Sequence, residues 1–421
     1  MQYTGSFKER GASYAISQLT DCQKKIGIVA ASAGNHAQAV SYHGLKVEMP
    51  VAVVMPTIAP VMKIQKCKNL KAEVFVQGKD MGEAKRIAQE MSMEKGYAYV
   101  NGFDHPHIIA GQGSIAIEIM EQMKEVDAIV VPVGGGSIIA GVCAYMSKAN
   151  PKCKIIGVES EKCPGMTEAI KMGKPSPVES FPSLADGLAV PVVGYNSFAT
   201  ASPHIYKMIV IREEYISLAM MRLVELEKTV VEGAGASALA AILTGELDEF
   251  RCKKVCCVLT GGNVDTTFLG RALERGLASD GRLLKFKVTI ADKPGALADL
   301  CAKVSATGVS MKKILQEKTW VNADMFQVQI KMIVETLGVD HSKELRDVLV
   351  KDYKNVFFND SPVAVTSEMS LPGLAIGQAS KKPFDCNDPN NNQGQGQGGG
   401  SANERETVLG HISNVCDCSN K

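Results

Sequence analysis

The chain has 421 residues, room for two or three domains at roughly 150 residues each. Apolar residues make up 45% and charged residues 22%, while Gly and Pro together reach about 13%, well under the roughly 25% typical of disordered chains. The 46 Lys and Arg against 45 Asp and Glu leave a net charge of +1, and only 5% of residues are aromatic. This removes the electrostatic and stacking arguments for a nucleic-acid partner.

The N-terminus, MQYTGSFKER, has no apolar h-region, and no stretch approaches the roughly 20 apolar residues needed to cross a bilayer. The 12 cysteines show no repeated CxxC and no CxxC…HxxxH spacing. The expectation is a cytoplasmic protein with no membrane partner, no metal centre and thiols rather than disulfides.

From about residue 26 to 263, short apolar runs rich in β-branched residues alternate with helical patterns. The runs lie at 27–30, 50–55, 72–76, 128–132, 155–158 and 255–259, with helix patterns such as 81–95 and 113–123 between them. Continuous apolar strands suit a parallel sheet covered on both faces, so the spacing predicts α/β layers.

Near Gly281 the character changes. Leu284, Phe286, Val288 and Ile290 alternate with polar residues, as do Phe326, Val328, Ile330 and Met332. A helix following Asp292-Lys293-Pro294-Gly295, a strand at about 310–316, a helix over 341–351 and a strand near 356–358 complete a βαββαβ unit. From 361 to 421 the chain is rich in Gly, Asn and Gln and is expected to be disordered.

Three small-residue loops follow predicted strands: 31–37 with Gly34-Asn35-His36, 134–137 with Gly134-Gly135-Gly136-Ser137, and 260–263 with Thr260-Gly261-Gly262-Asn263. Backbone N–H groups at such turns favour anions. Ligands of open α/β sheets lie beyond the carboxyl ends of strands. Three loops from one sheet predict a single site for two anions, a phosphate and a carboxylate. A Gly-rich turn alone is more often structural. Neither GxGxxG nor GxxxxGK[ST] is present, which lowers nicotinamide and P-loop chemistry.

Lys8, in TGSFKERGA, would by itself be an ordinary solvated lysine. TGSFKERGA, SAGNHAQ, VPVGGGSIIAG, ADGLAV, EGAGASALAA and LTGGNVD together resemble, in family order, the pyridoxal-phosphate (PLP) enzymes of fold type II. The serine/threonine dehydratases (threonine ammonia-lyases) are the nearest resemblance, with serine racemase close by. The resemblance runs to about residue 276. The unit at 284–360, through Asp292-Lys293-Pro294-Gly295-Ala296-Leu297, resembles an ACT domain, a small amino-acid-sensing module.

The resemblance implies a two-lobed α/β catalytic domain over 1–276, of tryptophan synthase β-like fold, with a small lobe at about 26–105. A ferredoxin-like ACT domain over 284–360 and the tail would follow. It implies PLP as cofactor and β-elimination of L-threonine, and of L-serine, to a 2-oxo acid and ammonia. An amino-acid effector at the ACT domain and a homo-oligomer, dimer or tetramer, are implied with it. Lys8 would be the Schiff-base lysine and the base for the Cα proton. Phe7 would pack beside the cofactor, and Gly187 would lie close to it. Asn35 would bond its phenolic oxygen, Gly134, Gly135, Gly136 and Ser137 would cradle its phosphate, and Thr260 would face the pyridine nitrogen. Ser32, Ala33, Gly34, Asn35 and His36 would line the substrate carboxylate pocket. Glu232 would be a pocket acid, against the plainer reading of a charge at a helix start. Burial should depress the Lys8 pKa, and a Thr260 hydroxyl should leave the ring a weak electron sink, favouring elimination over transamination.

Some positions depart from the pattern. Ala33 stands where racemases of the family carry a hydroxyl, which disfavours racemisation. Ser137 stands where close relatives usually carry Gly. Glu159 matches a cation-site carboxylate of the racemase branch without its second acid, and a surface-facing Glu is the plainer expectation. The family's lysine motif is normally preceded by a strand and helices, whereas Met1-Gln2 begins inside that motif. The alternative expectations are therefore a truncated, catalytically impaired isoform acting as an amino-acid-binding or scaffold protein, or a serine racemase-like enzyme.

Overall fold

The computed structural model describes residues 2–319 and 325–359. The tail expected to be disordered, 361–421, lies outside the described residues.

In chain order the first part runs α1 (Lys8–Ser17), α2 (Asp21–Ile26), β1 (Ile28–Ala31), α3 (Asn35–Lys46), β2 (Val51–Met55), α4 (Val61–Asn69), β3 (Glu73–Val76), α5 (Met81–Lys95), β4 (Ala98–Tyr99) and α6 (Pro106–Gln122). Its four strands form a parallel sheet in the order β3-β2-β1-β4. Local chemistry sets the boundaries. Thr20 and Gln23 close a capping box on α2. Asp80 accepts the Glu83 N–H to start α5, and Gly96 ends it at φ 73°. The α5 bounds coincide with the predicted pattern, but α6 begins seven residues before the expected 113. The glycines that obscured its first turns are there for packing. A Cβ on Gly113 would lie 3.1 Å from the Gly141 carbonyl on the neighbouring helix.

The second part runs β5 (Ala128–Pro132), α7 (Ser137–Ala149), β6 (Lys154–Ser160), α8 (Gly165–Met172), α9 (Tyr195–Ala201), β7 (Ile205–Ile211), α10 (Glu213–Glu227), α11 (Gly233–Leu243), β8 (Val255–Cys257) and α12 (Thr266–Ser279). Its strands form a second parallel sheet, β7-β6-β5-β8. The expectation that the three small-residue loops leave one sheet is corrected here. The 31–37 loop follows β1 in the first sheet, whereas 134–137 and 260–263 follow β5 and β8 in the second. The second sheet is covered on both faces, by α10, α11 and α12 on one side and by α6 and α7 on the other, with Ile129, Val130, Ile139, Ile156 and Ile216 fully buried. That explains its continuous apolar strands.

Glu159 also departs from expectation. It is fully buried, not surface-facing, and its carboxylate accepts the N–H groups of Met166 (2.6 Å) and Thr167 (2.9 Å) and the Thr167 hydroxyl (2.7 Å) at the start of α8. Burial pushes its pKa up to about 7 against those bonds. Its oxygens are occupied as a helix cap, and no metal-binding cluster occurs among the described residues. Cys252, at an exposed turn, is disulfide-bonded, against the expectation of thiols. Cys22, Cys67, Cys143, Cys153, Cys163, Cys256, Cys257 and Cys301 are free. No helix among the described residues is long and apolar enough to cross a membrane.

A third unit comprises β9 (Leu283–Ala291), α13 (Ala296–Ala306), β10 (Ser310–Glu317), β11 (Gln327–Glu335), α14 (Val339–Asp352) and β12 (Val356–Asn359). The antiparallel order β10-β11-β9-β12 is that of a ferredoxin-like βαββαβ unit. The alternating residues Phe286, Val288, Ile330 and Met332 meet Leu300, Val304, Leu345 and Leu349 in its core. Its entry is gripped from both sides. Arg222 on α10 pairs with Asp280 at 2.6 Å and Glu225 pairs with Arg282 at 2.6 Å. The Thr336 and Ser342 hydroxyls both donate to the Gly281 carbonyl.

Candidate active site

The segment before α1 belongs to both lobes. Ser6 and Gly261 form an antiparallel bridge, the Phe7 N–H donates to the Thr260 carbonyl at 2.9 Å, and the Gly262 N–H donates to the Gly5 carbonyl at 2.9 Å. Helix α1 then packs on α3 and α6. Glu9, buried, accepts the Thr4 N–H and faces His43 on α3 at 3.5 Å, which pins the segment further. Lys8 therefore stands where the end of β8 meets the small lobe.

The Lys8 amine donates to the Gly102 carbonyl at 2.8 Å and lies 5.1 Å from the Phe7 ring centroid. By surface area the residue is half-buried, yet enough protein surrounds the amine for desolvation to dominate. Burial lowers its pKa to about 8, with the Glu232 charge pulling the other way. A lysine near 8 offers a usable fraction of free amine at neutral pH, as a nucleophile or general base needs.

Asn35 opens α3, and its side chain is held from both ends. Its Nδ2 donates to Glu232 Oε1 at 2.8 Å, and its Oδ1 accepts Asn263 Nδ2 at 3.0 Å. Asn263 also reaches the Thr4 carbonyl at 2.6 Å. Glu232 occupies the N-cap position of α11 without a side-chain cap bond, and the helix field there favours its anion. Burial and the Asp186 charge win, pushing its pKa up to about 7. The Lys8 and Glu232 charges act on one another through space, each favouring the other's charged form against burial.

The Gly134–Ser137 turn leads from β5 into α7. Gly136 is the N-cap at φ 95°, and a Cβ there would lie 2.9 Å from Ser197 Cβ. A Cβ on Gly135 would land inside the Phe103 ring. Only backbone fits along this turn, with its N–H groups at the head of a 13-residue helix. Ser137 is the first residue of that helix and is buried.

Ser32 Oγ accepts the Gly34 N–H at 3.2 Å, and a Cβ on Gly34 would meet nothing within 4 Å, so the head of α3 faces open space. Ala33 is partly buried against the small-lobe core. The His36 side chain turns away to the Val100 carbonyl (3.0 Å) beneath Gly102, leaving its main-chain N–H at the helix start. Burial and the Lys8 charge lower the His36 pKa to about 4, so the ring is neutral.

The structure thus brings Phe7, Lys8, Asn35 and Thr260 into one network and connects it to Gly134–Ser137 through Gly102-Phe103. That link was not foreseen. Gly102 holds the lysine, Phe103 lies over Gly135, and Asp104 accepts the N–H groups of Tyr195 and Ser197 at 3.0 Å. Asn263, which holds Asn35, was also not foreseen as a site residue.

A family profile described as "Pyridoxal-phosphate dependent enzyme" matches residues 1–261. The chain belongs to that family. It is 39% identical over 350 residues to an L-threonine ammonia-lyase of Thermotoga maritima, covering 83% of this chain and 87% of the relative. A second L-threonine ammonia-lyase, of Geobacter sulfurreducens, is 36% identical over 346 residues, covering 82% and 86%. Among solved structures, the processed form of threonine deaminase isoform 2 from Solanum lycopersicum superposes with a TM-score of 0.63 at 35% identity, covering 65% of this chain and 80% of that one. Serine racemase from Dictyostelium discoideum gives 0.60 at 33%, covering 63% and 85%. The catalytic part is therefore an α/β, fold type II PLP enzyme.

The family's cofactor fits what is present. A buried amine with a lowered pKa stands in one network with an all-backbone turn at the head of a long helix. The head of α3 faces open space in the same network.

Proposed function

We propose that this protein is an L-threonine ammonia-lyase, converting L-threonine to 2-oxobutanoate and ammonia and L-serine to pyruvate and ammonia. One observation carries the reading: the Lys8 amine, lowered to about 8, is held at the lobe junction of a chain built like the ammonia-lyases it matches.

PLP, when bound, supplies an electron sink that acidifies the Cα–H of an amino acid. The residues of the chain supply the rest. The N–H groups of Gly134, Gly135, Gly136 and Ser137 would hold the phosphate, and the helix field of α7 would favour its charge. Phe7 would pack beside the ring, Thr260 would face its nitrogen and Asn35 its phenolic oxygen. The head of α3, from Ser32 through Ala33, Gly34 and Asn35 to His36, takes the substrate carboxylate. Lys8, as the free amine, accepts the Cα proton. Loss of that proton and of the Cβ hydroxyl, as water, leaves an enamine. Its tautomer takes up water and releases ammonia and the 2-oxo acid. Ala33 offers no proton on its side of the site, and a Thr260 hydroxyl is a poor proton donor to the ring. Both favour elimination over racemisation or transamination.

The division into a catalytic unit over 1–276 and an ACT-type regulatory unit over 284–360 that takes an amino-acid effector belongs to the same proposal. So do a homo-oligomeric state, dimer or tetramer, and a cytoplasmic location. The test is direct. Purified protein loaded with PLP is expected to release 2-oxobutanoate from L-threonine and pyruvate from L-serine, with no D-serine by chiral chromatography. Absence of both oxo acids would contradict the reading, and D-serine as the main product would replace it with a racemase.

A further inference from the structure

A buried carboxylate outside the residues above shapes the same site from behind. Glu213 is the first residue of α10, 9% exposed. Its Oε1 accepts the hydroxyls of Ser160 (2.8 Å) and Ser183 (2.7 Å), and its Oε2 accepts the Leu184 N–H at 2.6 Å. Ser183 Oγ in turn accepts the Ala185 N–H at 3.0 Å. Hydrogen bonds to a carboxylate are roughly twice as strong as neutral ones.

The gripped segment, 183–188, touches the site in three places. Gly187 and Leu188 close against the phosphate turn, where a Cβ on Gly134 would lie 3.0 Å from Leu188 Cα and 3.1 Å from the Gly187 carbonyl oxygen. Asp186 reaches Lys63 on α4 of the opposite lobe at 3.3 Å. The Leu184 carbonyl packs on Gly233, the residue after Glu232. The segment itself contains no regular element longer than the 3-10 turn Asp186–Leu188, and it packs on α11 through the buried Leu184, Ala185 and Leu188.

We propose that Glu213 is a positioning residue for cofactor binding: its carboxylate holds 183–188 where that segment shapes the Gly134–Ser137 turn and the bridge between lobes. This role rests on the placement of PLP proposed above. A Glu213→Leu side chain fills the space but leaves the Leu184 N–H without its acceptor. In Glu213→Gln the amide oxygen can take that N–H, while the two serine hydroxyls rotate to accept from the amide nitrogen.

The experiment measures the PLP dissociation constant and the circular dichroism of the bound chromophore in full-length wild type, Glu213→Leu, Glu213→Gln and Ser183→Ala. Glu213→Leu is expected to bind PLP roughly tenfold more weakly, the size of one buried donor left unpaired, with altered dichroism. Glu213→Gln is expected to stay near wild type. Should Glu213→Leu not fold, Ser183→Ala decides, with PLP binding weakened about threefold and the dichroism changed. A purely structural role predicts a lower melting temperature with unchanged PLP affinity and dichroism, and that result in the deciding variant would overturn the proposal. Wild-type binding is measured first. Its absence would overturn the cofactor placement and this role with it, whereas normal wild-type binding beside unaffected variants overturns the role alone.

Discussion

Replacing Lys8 by alanine is expected to lower turnover of L-threonine by at least about 10²–10⁴-fold, the range that a positioned acid–base group contributes. The Gly134–Ser137 turn and the head of α3 remain, so Lys8→Ala should still bind PLP, without a covalent bond to the protein. A second readout separates this role from structural damage. The Lys8 pKa is lowered from 10.5 to about 8 in the folded protein. Between those values the folded chain binds fewer protons than the unfolded chain, so stability rises with pH across that window. Below pH 8 the full penalty applies, on the order of 2–3 kcal/mol and less where the cleft admits water. Cofactor-free Lys8→Met should therefore be more stable than wild type at pH 7, and the gain should shrink as pH passes from 8 towards 10.5. A destabilised variant at pH 7, or turnover within tenfold of wild type, would contradict the assignment.

The second large effect is expected at Gly135. A methyl group there collides with the Phe103 ring, and that ring has little freedom to move away. The Phe103 N–H is held by Asn101 Oδ1 at 2.9 Å and its carbonyl by the Ser197 hydroxyl at 2.8 Å. Displacing it would drag Gly102, whose carbonyl accepts the Lys8 amine. Overpacking of this kind costs about 1–3 kcal/mol, so Gly135→Ala should weaken PLP binding by roughly 10- to 100-fold and disturb Lys8 as well. Equilibrium titration of apoprotein with PLP, followed by absorbance, measures this. Unchanged affinity would mean that the phosphate does not sit on this turn.

The sequence makes some of this architecture legible and hides the rest for identifiable reasons. Buried parallel strands are continuous apolar runs, so β1, β2, β5 and β6 stand out, and the alternation of β9 and β11 shows sheets with one wet face. Strand β7 does not stand out, because it lies at a sheet edge with Tyr206, Lys207 and Val210 outside the core. Strand β4 has two residues and carries no period at all. That the small-residue loops belong to two sheets rather than one is a matter of strand order, which local pattern does not encode. Within the site, the residues on Gly-rich turns and in the lysine motif carry a sequence signal. The Gly102-Phe103-Asp104 segment does not, since its roles arise from contacts with residues distant in the chain, 94 apart for Gly102 and Lys8; Asn263 lies on such a turn, but its hold on Asn35 spans 228 residues. Glu159 shows the opposite failure. A charged residue after a strand reads as solvent-facing, and only the unpaired N–H groups at the start of α8 explain its burial.

The most direct test is to reduce the PLP-loaded protein with borohydride, digest it and locate the pyridoxyl group by mass spectrometry. A single stoichiometric label is expected on the peptide containing Lys8. A label on another lysine, or none after saturation with PLP, would contradict it.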